Sequence, residues 1–124
     1  MEELGLLEDA IREFEEALRL SGRNVSILGY LGHALALAGR ASEARQVLQD
    51  LFRLGAERYM SPYDIGVIHL GLGENEAALE WLERGYAERD HQMTFLLVDP
   101  RLDALRPSPR FVGLLRKMGF NREI

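Results

Sequence analysis

Residues 73–85 read GENEAALEWLERG, and residues 39–51 read GRASEARQVLQDL. Each is a glycine, a short polar turn and a helix-forming stretch with alanine and leucine at matching places. Gly39 and Gly73 are 34 residues apart, and so are Gly32 and Gly66, Ala44 and Ala78, and Leu48 and Leu82. The same step backwards carries Gly39 to Gly5, Ala44 to Ala10 and Leu48 to Phe14. Agreement of several positions on one period marks a repeat architecture.

Each repeated position has a physical task. Gly39 and Gly73 follow apolar helical stretches, where a helix commonly ends on a glycine of positive φ. Gly32 and Gly66 fall inside helices, where glycine costs roughly 1 kcal/mol relative to alanine. That cost is tolerable if a second helix of the same unit comes close, with Ala44 and Ala78 as the small residues facing it. Leu28, Leu31 and Leu35 form an apolar stripe at helical spacing. Leu48 with Leu51, and Leu79 with Leu82 and Tyr86, do the same on the following helices. The predicted unit is therefore a pair of antiparallel helices that buries its apolar faces only by stacking on its neighbours.

The pattern resembles the tetratricopeptide repeat family. Leu28, Leu31, Gly32, Leu35, Ala44 and Leu48 carry the likeness in one unit. Ile65, Gly66, Ala78 and Leu82 carry it in the next, with Gly39 and Gly73 at the turns. It covers residues 5 to about 97. Leu51 and Gly85 stand where the family usually has alanine, Ala56 where it often has proline, and His69 where an aromatic residue or leucine is usual. The resemblance implies an all-α, right-handed α-solenoid closed by a C-terminal helical cap. The expected division is residues 1–22 as the second helix of a truncated repeat, 23–57 and 58–91 as full units, and 92–124 as a partial repeat with capping helices.

Helix signals place the elements. Asn24 is a predicted N-cap for a helix to Ala38, followed by one over Ser42–Leu54. Ser61 with Pro62 is a cap-plus-proline start, and a helix follows from Asn75 to about Arg89. Met93–Val98 reads as a stunted first helix. Asp99 precedes a short helix starting at Pro100, and Ser108 with Pro109 opens a last one carrying Phe111, Leu114, Leu115 and Met118. The C-terminal stretch is similar to the tetratricopeptide tails of multidomain bacterial regulators, which implies a fragment of such a protein. Fourteen arginines against one lysine suit a GC-rich bacterial genome.

Composition limits the chemistry. The chain has 124 residues, no cysteine and a net charge of −5. Disulfides and thiolate zinc sites are excluded, and phosphate-backbone binding is disfavoured as the main task. RNA binding through the related 35-residue pentatricopeptide architecture fits neither the 34-residue period nor the charge. No apolar run approaches ~18 residues, so no membrane span is expected. The acidic N-terminus lacks signal-peptide order, which points to the cytoplasm. Charge is unevenly placed: residues 1–20 hold seven acids and two arginines, and residues 99–124 hold six cations and three acids.

No catalytic, cofactor or metal constellation stands out. His33, His69 and His91 do not pair at metal-ligand spacing. GLGENE lacks the strand and spacing of a dinucleotide loop. Glu2, Glu3, Glu15 and Glu16 fall on exposed faces or a terminus rather than in a cleft. Trp81 reads as buried between repeats. The expectation is a non-enzymatic scaffold that holds a peptide or helix of a protein partner in the concave groove, with no nucleic acid and no membrane. By resemblance that groove is lined by Gly29, Tyr30, His33, Ala36, Leu37, Met60, Tyr63, Asp64, Val67 and Leu70. The partner-binding set is Tyr30, His33, Leu37, Met60, Tyr63, Asp64, Val67 and Leu70. Glycine, histidine, tyrosine and valine replace the lysine, asparagine and arginine that grip C-terminal carboxylates in one subclass, so that clamp is not expected. The alternative is homodimerisation through Leu7, Ile11, Phe14 and Leu18, a stripe that a missing first helix would leave uncovered.

Overall fold

The computed structural model describes residues 2–22, 24–55 and 60–119, and contains no strand among them. Five α-helices come first: α1 (Glu2–Ser21), α2 (Val25–Leu37), α3 (Ala41–Leu54), α4 (Pro62–Gly71) and α5 (Asn75–Ala87). Two 3-10 turns follow, His91–Phe95 and Pro100–Leu105, and then α6 (Pro109–Lys117). The position of Ala56 and the expected unit boundary after residue 57 lie outside the described residues.

The start signals hold at atomic level. Asn24 accepts the Ile27 amide, and the Ser61 hydroxyl accepts the Asp64 amide ahead of Pro62. Gly39 and Gly73 take φ of 81° and 80°. The next amides fold back, Arg40 N–H to Leu35 O and Glu74 N–H to His69 O, each at 2.9 Å. Those bonds satisfy carbonyls that a helix end leaves orphaned. A third such ending shortens α5, which stops at Ala87 because Arg89 turns left-handed with φ 58°. Asp90 N–H then closes on Gly85 O at 2.8 Å. Ser108 precedes α6 as expected but makes no side-chain cap bond.

α2 packs against α1, α3 and α4, and α4 packs mainly against α2 and α5. The interior forms two apolar clusters joined through α4. Ile65 and Ile68 face the first, with Ile11, Leu28, Leu31, Leu35, Val47, Leu48 and Leu51. Tyr63, Val67 and Leu70 face the second, with Leu79, Leu82, Met93, Leu96, Leu102, Leu105, Phe111, Leu114 and Leu115. α4 is therefore buried nearly all round, as a helix apolar on every face must be.

The two mid-helix glycines differ in what they admit. A Cβ at Gly66 would lie 3.1 Å from Ala78 O and 3.3 Å from Leu82 Cγ, within the same helix pair, as expected. A Cβ at Gly32 would meet Ile68 Cδ1 first, at 2.6 Å, with Val47 Cγ1 at 3.1 Å. Gly32 thus admits the first helix of the next pair more closely than its own partner. Gly66→Leu should cost about 1–3 kcal/mol by overpacking, because backbone cannot move aside as a side-chain tip can. A chemical melt that overlays the unmodified chain would remove this account of Gly66.

Ion pairs join the elements. Arg40 links the α2–α3 turn to Glu8 at 2.9 Å, and Arg45 reaches Glu74 at 2.7 Å. Arg110 forks onto both oxygens of Glu83, at 2.8 and 2.7 Å, and reaches Glu76 at 3.0 Å. These pairs fix geometry more than they stabilise, being largely solvated.

Candidate binding surface

The C-terminal stretch packs on the face of α4 that sequence assigns to a groove. Tyr63, Asp64, Val67 and Leu70 are buried, and so is His33 on α2. Tyr63, Val67 and Leu70 recur at spacings of four and three. They meet Met93 of the first 3-10 turn, Leu96 just after it, and Leu102 and Leu105 of the second. These residues, expected to face a partner, face the chain's own segment 91–106. Met60 is half-buried, whereas Tyr30 and Leu37 are exposed.

Polar side chains hold that segment in place. Asp90 accepts Ser61 Oγ–H at 2.6 Å, the Tyr63 amide at 3.0 Å and the Gln92 amide at 3.1 Å. Gln92 Nε2 donates to Ser61 Oγ and to Asp64 Oδ2, both at 3.0 Å. Tyr63 Oη donates to Asp99 Oδ2 at 2.6 Å. Asp99 also takes Arg101 Nε and Nη2, at 3.1 and 2.7 Å, and accepts the Arg101 amide at 2.9 Å. Among the described residues, no buried side-chain polar atom lacks a partner, as buried polar groups require.

Burial dominates the electrostatics. It lowers the His33 pKa to about 4, helped by the nearby Arg101 charge. It raises the Asp64 carboxyl to about 6, against the Gln92 hydrogen bond. Desolvation pulls upward on Asp99 too, but its bonds from Arg101 and Tyr63 leave its pKa below the ordinary value. Desolvation penalises whichever form carries charge. Burial thus favours the neutral ring of His33. His69 Nδ1 lies 2.8 Å from Glu74 Oε1 at the start of α5.

What stays open is a cleft of about 380 Å³ between α2 and the segment, lined by Tyr30, Gln92, Phe95, Val98, Pro100 and Arg101, with Asp99. The Arg101 guanidinium sits 4.8 Å over the Tyr30 ring, and Phe14 stacks on that ring at 5.9 Å. Tyr30, Phe95 and Val98 are all exposed. Sequence spacing missed Phe95 and Val98. Phe95 ends the first 3-10 turn and Val98 lies in the turn after it, where the repeat register no longer applies.

Residues 3–59 match a family model of the tetratricopeptide repeat. The match supports a place in that family and spans α1 to α3. Tetratricopeptide domains generally mediate protein–protein interactions and are typically non-enzymatic scaffolds. No curated protein and no solved structure matches this chain. Beyond the tetratricopeptide match, Gly66, Ala78 and Leu82 continue the same packing in α4 and α5. Trp81 is half-buried against the first cluster, 5.7 Å from the Phe52 ring, which ties α5 to α3. Gly85 gives close room to Met93, whose Sδ would lie 3.0 Å from a Cβ there.

Among the described residues no group of acids and histidines could hold a metal, and no helix is long and apolar enough to cross a membrane. The self-association stripe also turns inward. Ile11 is buried in the first cluster, and Leu7, Phe14 and Leu18 pack against it. The large exposed apolar side chains of α1 are instead Leu6 and Leu20. The stripe serves contact with the next helices, because α2 lies on that side.

Proposed function

We propose that this chain is a non-enzymatic interaction module, a right-handed solenoid of repeats 23–57 and 58–91 with residues 1–22 before them and 92–124 as the cap. Its partner is a protein, held as an extended segment in the cleft between Tyr30 and Phe95. The observation that carries this reading is the pair of exposed aromatic rings across an open cleft whose floor is fixed by the Arg101–Asp99 pair. Aromatic and apolar side chains beside a few fixed polar groups suit peptide recognition. Leu37, seven residues on from Tyr30, is exposed on the same side of α2. The net charge of −5 supports a protein partner over a nucleic acid. A cytoplasmic, bacterial, multidomain regulator as the parent fits the composition and the C-terminal resemblance. Dimerisation through Leu7, Ile11, Phe14 and Leu18 has less support, since those side chains pack inward.

Tyr30→Ala with Phe95→Ala should reduce capture of a partner isolated with the whole chain by at least tenfold. The change should lower the melting temperature little, because both side chains are exposed. Undiminished capture by this variant would move the binding surface elsewhere.

A further inference from the structure

Two surfaces at opposite ends of the sequence remain unexplained by packing or by the cleft. The first is the outward side of α1. Leu6, Ala10, Glu13, Ala17 and Leu20 recur at spacings of four and three, so they share one helix face. Leu6 and Leu20 are 69% and 72% exposed, Ala10 and Ala17 are half-buried, and Glu13 is exposed. Glu13 forms no salt bridge among the described residues. Residues 1–20 carry two cations against seven acids, a net of 2 − 7 = −5.

The second surface is an open cavity of about 300 Å³ where α5, the first 3-10 turn and α6 meet. Gly85, Tyr86, Met93 and Met118 give it an apolar lining, and Arg89, Lys117, Asp90 and Thr94 add polar groups. Both cations are exposed and form no salt bridge among the described residues. Asp90, which also lines the cavity, spends its carboxylate on Ser61 and the Tyr63 amide. Tyr86 Oη donates to the Lys117 carbonyl at 3.2 Å, which holds the ring against α6. Residues 75–95 and 109–117, which form the cavity, carry five cations and five acids, so its positive character is local, at Arg89 and Lys117.

We propose that these surfaces are complementary halves of one interface, through which copies of this chain associate head to tail. A leucine from the acidic α1 face of one copy enters the Tyr86–Met93–Met118 cavity of the next. Arg89 and Lys117 there meet the carboxylates around that leucine. Charge decides against the simpler two-fold pairing of α1 with itself. An antiparallel pair would set Leu6 against Leu20 but Glu13 against Glu13, between two helical segments of net −5. Opposite charges at the contact favour association, and like charges oppose it. The contact joins two different patches, so it leaves one of each free and need not stop at a dimer. It is separate from the Tyr30–Phe95 cleft, and its failure would leave the cleft reading standing.

Sedimentation velocity on the whole chain tests this. Average mass should rise with concentration beyond that of a dimer, and added salt should weaken the rise. Two blocked variants separate the geometries. Leu6→Glu with Leu20→Glu removes the donor face, and Arg89→Glu with Lys117→Glu removes the acceptor cations. Circular dichroism should show both folded, since all four side chains are exposed. Each variant alone should be monomeric. An equimolar mixture should give a 1:1 dimer and nothing larger, formed by the intact acceptor of the first and the intact donor of the second. A chain that is monomeric at high micromolar concentration would overturn the proposal. So would a cation-reversed variant that still dimerises with itself, because that places α1 on α1.

Discussion

Tyr63→Ala should destabilise the chain by about 3–5 kcal/mol, the range for removing a large buried aromatic side chain. The residue is 0% exposed and sits where α4, the segment 91–106 and α6 share one cluster. Its loss opens a cavity and also strips Asp99 of the hydroxyl that donates at 2.6 Å. The effect should appear as a lower urea midpoint with little change in slope. Tyr30→Ala is the control: that ring is exposed, and its removal should shift the midpoint far less. Equal midpoints for the two variants would mean that the C-terminal segment is not part of the folded core. A side chain expected at a binding groove is thus recast as a core residue, and the two readings differ by several kcal/mol.

Asp64→Asn should stabilise the chain by roughly 2–3 kcal/mol at pH 8, and by far less near pH 4. The folded state raises the carboxyl from 3.8 to about 6, so it binds the proton more tightly than the unfolded chain does. Stability from this group is therefore present below pH 3.8 and lost as pH rises through about 6. Asparagine keeps an oxygen for Gln92 Nε2 and removes the buried charge. His33 works in the opposite direction. Its pKa falls from 6.5 to about 4, so stability is present above 6.5 and lost as pH drops toward 4. In the unmodified chain the two slopes oppose each other between about pH 4 and 6. The variant should expose the His33 slope, with stability falling as pH is lowered through that window. Denaturant melts at three pH values test this, and a variant whose stability still rises on acidification would refute the assignment to Asp64.

The helices themselves were legible in the sequence because their signals are local. Asn24, Ser61 and Pro62 mark helix starts through bonds or ring geometry within three residues. Gly39 and Gly73 mark ends through one backbone angle each. The 34-residue step exposed the pairing of helices, because one packing problem solved twice leaves glycine, alanine and leucine at the same intervals. Even the lost leucine stripe of α1 was visible as a stripe. What the spacing could not reveal was which neighbour would cover it.

Tertiary structure decided three matters. It set Gly32 closest to Ile68 of the next helix pair, because the offset between α2 and α4 is a property of both helices together. It ended α5 at a left-handed arginine, which side-chain chemistry alone does not favour. Above all, it placed residues 91–106 against α4. A period-based reading assumes that the face of each first helix stays open, and the register breaks off where this segment begins. Tyr63, Val67 and Leu70 are suitable both for a groove and for a core, since both are apolar surfaces at the same helical spacing. The choice rests on whether another part of the chain reaches them first. Asp90, Gln92, Asp99 and Arg101 make that choice by hydrogen bonds spanning 27 to 36 residues, or by fixing the side chains that make them. Such long-range pairings leave no periodic trace in a single sequence, so the surviving cleft at Tyr30 and Phe95 became visible only in the fold.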